Sequence, residues 1–161
     1  MSIVRFLMLA LSVVLLGSRG QASWADAPVL HIHIGDTAPV ALSDADLAAL
    51  PQVEFTTTTI WTEGEMTFSG PSLSGLLATL GVAGADVEMT AINNYKVRVP
   101  REAIETDVPI VANRIDGRGF GVRQKGPLWV MYPYDAEERY RSEVFFSYSI
   151  WQLKSIRVLT D

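Results

Sequence analysis

The chain has no cysteine among its 161 residues. That excludes disulfides, thiol nucleophiles and thiolate metal sites. It also excludes a lipoprotein anchor, which needs a cysteine behind an export segment. Positive charge is scarce: 13 basic residues face 18 acidic ones, for a net charge of −5. Such a balance argues against nucleic acid as a partner, because phosphate contacts supply most of that affinity. Repeats, low-complexity linkers and blocks of like charge are missing. So are the nucleophile elbow, the Gly-Lys-Ser/Thr phosphate loop and the His-Glu-x-x-His motif. Carboxylates are scattered, and no acid–base pair can be placed from spacing alone.

The chain's first feature is an export pattern. Arg5 precedes a short apolar core at residues 6–16, followed by the small residues around Gly20, Ala22, Ser23 and Ala25. A bilayer span needs about 20 apolar residues, so the core is too short to cross. The pattern is that of a signal peptide over 1–22, cleaved near 22–25. Its removal takes Arg5 and Arg19 and no acidic residue, moving the net charge from −5 to −7. The expected product is a soluble exported protein, most simply a bacterial periplasmic one, with one domain over 26–161.

Periodicity within that domain predicts strands broken by a few short helices. Strands are expected at 29–34, 53–62, 66–68, 87–92, 95–99, 110–114, 128–132 and 156–159. Ser43 reads as the N-cap of a helix over 44–50. Leu73, Leu76, Leu77 and Leu80 fall on one helical face, with Pro71 near the start and Gly81 at the end. One turn of helix is expected at 101–105. Residues 135–141 read as loop or short helix. Strands and helices do not alternate regularly, so the fold class is α+β, a single domain with a mixed sheet.

Several side chains can do chemistry. Trp61 ends a threonine-rich strand, where an indole can stack on a flat heteroaromatic ring; the competing reading is a core tryptophan. Arg114, Arg118, Arg123 and Lys125 crowd a glycine-rich stretch of an acidic protein. Arg114 and Lys125 are read as ligand-binding and Arg118 as a solvated hairpin tip. Glycine beside them allows close backbone approach to a ligand. His31 and His33 share a strand face but lack further metal ligands, so they read as structural. Trp151 reads as core packing for the closing strand.

These segments also carry a resemblance. Thr59-Ile60-Trp61-Thr62, Phe68-Ser69-Gly70-Pro71, Leu76-Leu77, Ala91-Ile92-Asn93-Asn94-Tyr95, Lys125-Gly126-Pro127-Leu128-Trp129 and Ser149-Ile150-Trp151-Gln152-Leu153-Lys154 occur in this order. The order resembles the molybdopterin-binding domain of sulfite-oxidase-type oxidoreductases, over roughly residues 55–161. The resemblance implies that Thr58 or a neighbour stands where the enzymes carry their metal-binding cysteine. A threonine hydroxyl hydrogen-bonds and does not ligate a soft metal. It implies that Asn93 and Asn94 meet the donor–acceptor edge of a pterin, with Tyr95 as a ring wall. It also implies that a basic loop meets the phosphate of the cofactor. Lys125-Gly126-Pro127-Leu128-Trp129 departs from the enzymes' His-Gly-x-Pro-x-Arg pattern. The spacing is one residue shorter, no histidine precedes Gly126, and Trp129 stands where they have arginine.

The expectation that follows is a pterin binder without molybdenum, one of the small cysteine-less periplasmic regulators. The resemblance implies that such a protein relays occupancy to a membrane sensor, either a cyclic di-GMP enzyme or a sensor kinase. Two competitors stand beside it. One is a molybdopterin oxidoreductase whose metal is held by the cofactor's dithiolene alone. The other is a protein–protein adaptor that kept the fold and lost the ligand.

Overall fold

Alternation of buried and outward side chains builds most of the main sheet of the computed structural model, which describes residues 27–159. β1 (Pro28–Ile34) buries Leu30 and Ile32 and turns His31 outward. β5 (Asp86–Ala91) buries Val87, Met89 and Ala91, and β6 (Lys96–Val99) buries Val97 and Val99. With β2 (Val40–Ser43) and β11 (Leu153–Leu159) they form a five-stranded sheet in the order β2-β1-β11-β5-β6. β1 runs parallel to β11, and the other neighbours are antiparallel, so the sheet is mixed. The expected export segment, 1–22 with cleavage near 22–25, lies outside the described residues.

α1 (Asp44–Ala49) starts where expected. The Ser43 hydroxyl accepts from the Asp46 N–H, and the Asp46 carboxylate accepts from the Ser43 N–H, a reciprocal capping box. α2 (Leu73–Thr79) is capped by Ser72 and sinks Leu73, Leu76 and Leu77 into the core. Each such leucine contributes about 1.5–3 kcal/mol by leaving water. Gly81, at φ +72°, lets the chain turn away after the helix. Pro71 belongs to the preceding strand rather than to the helix.

The other strands form two smaller sheets. β3 (Gln52–Thr58), β4 (Glu65–Pro71) and β8 (Arg114–Ile115) make one; β7 (Ile110–Ala112), β9 (Trp129–Met131) and β10 (Ile150–Trp151) make the other. They meet closely at Gly70, where a Cβ would fall 2.0 Å from the Val111 carbonyl oxygen. Between them lies an aromatic core of Phe68, Phe120, Trp129, Tyr132, Tyr134 and Tyr140, separate from the aliphatic core under the five-stranded sheet.

The structure departs from the sequence expectations at element ends. β3 stops at Thr58 rather than residue 62, because the Thr59 hydroxyl folds the chain into a turn. The strand expected at 110–114 is split at Asn113 between two sheets. The last strand begins at Leu153, three residues earlier than its alternation suggests. Three elements go beyond the expected set: the short β2, β10, and α3 (Glu143–Ser147), whose Ser142 cap accepts from the Phe145 N–H at 3.5 Å. Short 3-10 turns occupy Arg101–Ala103, Val122–Gln124 and Glu138–Arg141.

Candidate functional site

The end of β3 sets the position of Trp61. The Thr59 hydroxyl accepts from the Trp61 N–H at 3.0 Å and lies 2.8 Å from the Thr62 hydroxyl. A threonine hydroxyl that bonds two residues onward makes a compact turn in place of more strand. The indole is thereby laid, half-buried, across the rim of the aromatic core. It meets Trp151, Phe146 and Tyr134 edge-on, at centroid distances of 5.6, 5.8 and 6.0 Å.

The opposite wall is the basic loop. After β8 the chain turns at Asp116 and Gly117, passes Arg118 and Phe120, and makes the 3-10 turn Val122–Gln124. Lys125 closes that turn in the left-handed region, at φ +64°. Its carbonyl accepts from the Trp129 indole N–H at 2.8 Å and from the Gln152 N–H at 3.0 Å. Its ammonium reaches the Trp61 carbonyl at 3.5 Å and stands 5.6 Å from the centroid of the Trp151 ring.

Between these walls opens a cleft of about 680 Å³. Trp61, Met66, Phe120 and Trp129 supply its apolar surface, and Arg118, Arg123 and Lys125 its cations; Asp116 is the one carboxylate in the lining. Asp116 Oδ1 already accepts from the Thr67 N–H. Arg98, Arg101, Arg114, Arg139 and Arg141 all pair with carboxylates. Among the described residues Arg118 and Arg123 have no such partner, although the protein is acidic overall. Guanidiniums without a carboxylate partner beside apolar walls have the chemistry to take a flat anion.

The predicted site residues are divided by the fold. Trp61, Lys125 and Trp129 meet in this cleft. Trp129 is its floor: the indole is 3% exposed, stacked on Phe68 at 5.9 Å and met edge-on by Phe120 at 6.2 Å. It is nearly fully buried, so it is half-buried Trp61 that has surface left for a ligand. Gly126 is buried beneath the loop, where a Cβ would fall 2.1 Å from the Phe120 carbonyl oxygen. Arg118 is exposed at the Ile115–Arg118 turn, as expected of a solvated tip, and from there it also lines the cleft.

Arg114 does not reach the cleft. Asp44 holds its guanidinium with two hydrogen bonds of 2.7 Å each. Hydrogen bonding from Arg114 keeps the Asp44 carboxyl below the usual carboxylate range, and the same contact raises the Arg114 pKa. Asn93 and Tyr95 line a second, smaller hollow on the far side of Trp61. Asn94 sits at φ +67° in the hairpin turn, its Oδ1 accepting from Lys154, and lines neither space. Trp151, read as core, is half-buried and lines the second hollow. His31 and His33 border a shallow surface depression with Lys154. Among the described residues no group of three histidines, aspartates or glutamates is placed to hold a metal.

Thr58 has a role that its sequence position did not show. Its N–H and its hydroxyl both donate to the Asp135 carboxylate, at 2.6 and 3.0 Å. Arg141 bonds the same carboxylate and also reaches the Thr58 hydroxyl. The Thr58 N–H first, and Arg141 next, hold the Asp135 carboxyl down to about 2. Buried Thr57 accepts from the Asp135 N–H on the other side of the strand. Asp135 and Arg141 thus anchor the strand end from which the Trp61 turn springs. Nothing in the charged 135–141 stretch marked them, because the bonds span 77 and 83 positions.

No family model and no curated protein sequence matches the chain. Solved structures do match its fold. One is the sulfane dehydrogenase SoxCD from Paracoccus pantotrophus, at a TM-score of 0.59 and 17% identity, over 88% of this chain and 40% of that one. At that identity the likeness speaks to fold alone: the α+β architecture expected from the sequence is observed, and it is distantly similar to the fold of part of that dehydrogenase. This chain spans 40% of the length of that neighbour.

Proposed function

We propose that the chain is a binding module for an anionic pterin, exported to the periplasm, that reports occupancy to the periplasmic part of a membrane sensor. One observation carries this reading: among the described residues Arg118 and Arg123 have no carboxylate partner, and they stand beside Trp61 in an open cleft of about 680 Å³. That size lies within the range of small-molecule sites. It also speaks against an adaptor whose aromatic side chains have filled the ligand's place. A pterin would slide its bicyclic ring along Trp61 over the Trp129 floor. Its acidic substituent would meet Arg118, Arg123 and Lys125.

A molybdenum cofactor asks for different chemistry. In the enzymes that the sequence resembles, a cysteine thiolate ties the metal to the protein. The cleft offers none, and its single carboxylate among the described residues, Asp116, already accepts a backbone hydrogen bond. This donor set does not fit a thiolate-anchored molybdenum. The reading of a non-enzymatic module rests on that chemistry together with the sequence resemblance.

Occupancy can shift a partner only if the ligand prefers one surface state over another. The turn carrying Trp61 and the loop carrying Lys125 are the two segments a ligand would bridge. The test is calorimetry with pterin-6-carboxylate on wild type and on Arg118→Ala/Arg123→Ala. Both arginines are exposed and unpaired, so the double variant should fold as wild type does. Charge-assisted hydrogen bonds contribute about 1.5–3 kcal/mol each, so binding should weaken at least tenfold. Equal affinity in both proteins, or no binding by wild type, would end this reading. For the signalling part, cyclic di-GMP in the native bacterium should follow the wild-type gene and not the double variant.

A further inference from the structure

The second hollow is left unexplained by that function. It measures about 390 Å³ and lies directly behind Trp61. Its walls are Trp61, Trp151, Phe146 and Tyr95, with Asn93 and Ser149 as polar members. Among the described residues no charged side chain lines it, whereas the neighbouring cleft holds three cations. Two adjoining spaces of opposite chemistry, separated by one indole, do not suit the same ligand group.

The hollow is built. Trp61 packs edge-on against Trp151 at 61° and against Phe146 at 89°, which fixes three of its walls. The Ser149 hydroxyl is committed, bonded to Tyr134 at 2.5 Å and donating to the Phe145 carbonyl at 3.0 Å. Asn93 differs. Its Oδ1 accepts from the Tyr95 N–H at 3.0 Å, which holds the carboxamide at the mouth and leaves its Nδ2 protons for an outside acceptor. Tyr95 is 57% exposed and packs against no other ring among the described residues. An aromatic ring held at the lip of an aromatic hollow can close on a guest. Apolar walls with one placed amide donor select a neutral planar ring that carries a carbonyl.

We propose that this hollow is a second binding site, taking an uncharged aromatic carbonyl compound, and that Trp61 couples it to the basic cleft. Binding at the hollow does not depend on the pterin reading; the coupling does. The coupling has a physical route. Trp61 is a wall of both spaces, and Lys125 touches the Trp61 carbonyl while lying over Trp151. A guest that tilts Trp61 or draws Lys125 toward Trp151 alters the basic cleft. By linkage, an anion in that cleft changes affinity for the neutral guest by the same factor.

The test is a nuclear magnetic resonance titration of the exported protein with 2-quinolinone, a neutral bicyclic lactam. Naphthalene-2-sulfonate serves as an anionic probe of similar size. 2-Quinolinone should shift Asn93, Tyr95, Ser149, Trp151 and the Trp61 indole N–H, and leave Arg118 and Arg123 in place. The sulfonate should shift Arg118, Arg123 and, from its other side, the Trp61 indole N–H, and leave Asn93, Tyr95 and Ser149 in place. Tyr95→Ala and Asn93→Leu, both at an exposed hairpin tip, should keep the fold and each weaken 2-quinolinone at least fivefold. Shifts confined to the Arg118 side, no shifts at the solubility limit, or full affinity in both variants would overturn the site. Pterin-6-carboxylate then separates the two claims. If it binds and changes 2-quinolinone affinity several-fold, site and coupling both stand. If it binds and changes nothing, the coupling is wrong. If it fails while 2-quinolinone binds, the pterin reading and its coupling fall and the second site remains.

Discussion

Gly126 holds the basic wall in place because nothing larger fits there. Its N–H donates to the Gly121 carbonyl, and an added methyl would press on the Phe120 backbone at 2.1 Å. Gly126→Ala must therefore push the 121–126 loop outward. Overpacking of this kind costs about 1–3 kcal/mol. We expect a melting temperature several degrees lower and weakened pterin binding, since Lys125 moves with the loop. Wild-type melting and affinity would contradict the assignment. At this scale the sequence is readable where the determinants are local. Trp61 and Lys125 can be named from it because a threonine-rich strand end and a basic, glycine-rich stretch mark them, whereas Trp129 is named only through the resemblance of its segment. Arg114 defeats such a reading because its partner, Asp44, lies 70 positions away. Asn93 and Tyr95 leave the cleft for the second hollow, because spacing alone cannot tell which side of Trp61 a hairpin tip will face.

At the scale of elements, the end of β3 depends on one carboxylate. Asp135 receives Thr58 and Arg141, which hold its carboxyl down to about 2, below the ordinary 3.8. A depressed folded-state pKa stabilises the structure above the unfolded value and ceases to do so as pH falls through the folded one. The contribution is therefore complete above about pH 4 and is lost progressively toward pH 2. Trp61 fluorescence should stay level from pH 8 to about pH 4, then change as the turn comes loose. Asp135→Ala should give the low-pH emission at pH 7. A transition in wild type near pH 6, or an unchanged variant spectrum, would dissociate Trp61 from this anchor. The same scale shows why α3 and β2 are hard to see in the sequence. α3 has five residues and buries none of them fully, and β2 has four with only Ser43 buried. Such elements are imposed by their neighbours rather than by their own periodicity. α1 and α2, with real caps and apolar faces, are legible.

Over the whole molecule, the α+β class follows from irregular strand and helix order, but the division into three sheets does not. β1 pairs with β11 across the length of the domain, and no local pattern encodes that register. Charge is arranged just as non-locally. The chain is acidic, yet among the described residues the lining of the Trp61 cleft holds three cations and one carboxylate. The surrounding negative charge should slow the approach of an anion, while the unpaired arginines should hold it once it arrives. Salt screens both effects, with a Debye length near 10 Å at about 0.1 M and near 3 Å at about 1 M. The close contacts lie inside the longer length and lose part of their strength at the shorter one. Raising salt from about 0.05 to 0.5 M should therefore speed association of pterin-6-carboxylate and speed its release more, for a net loss of affinity. Arg157→Ala is the control: it removes a cation exposed on β11, outside the cleft, and changes the net charge equally per residue. If affinity is set locally, Arg123→Ala weakens binding and flattens its salt dependence while Arg157→Ala does neither. If the two variants behave alike, net charge governs binding, and the cations of the cleft are not its recognition groups.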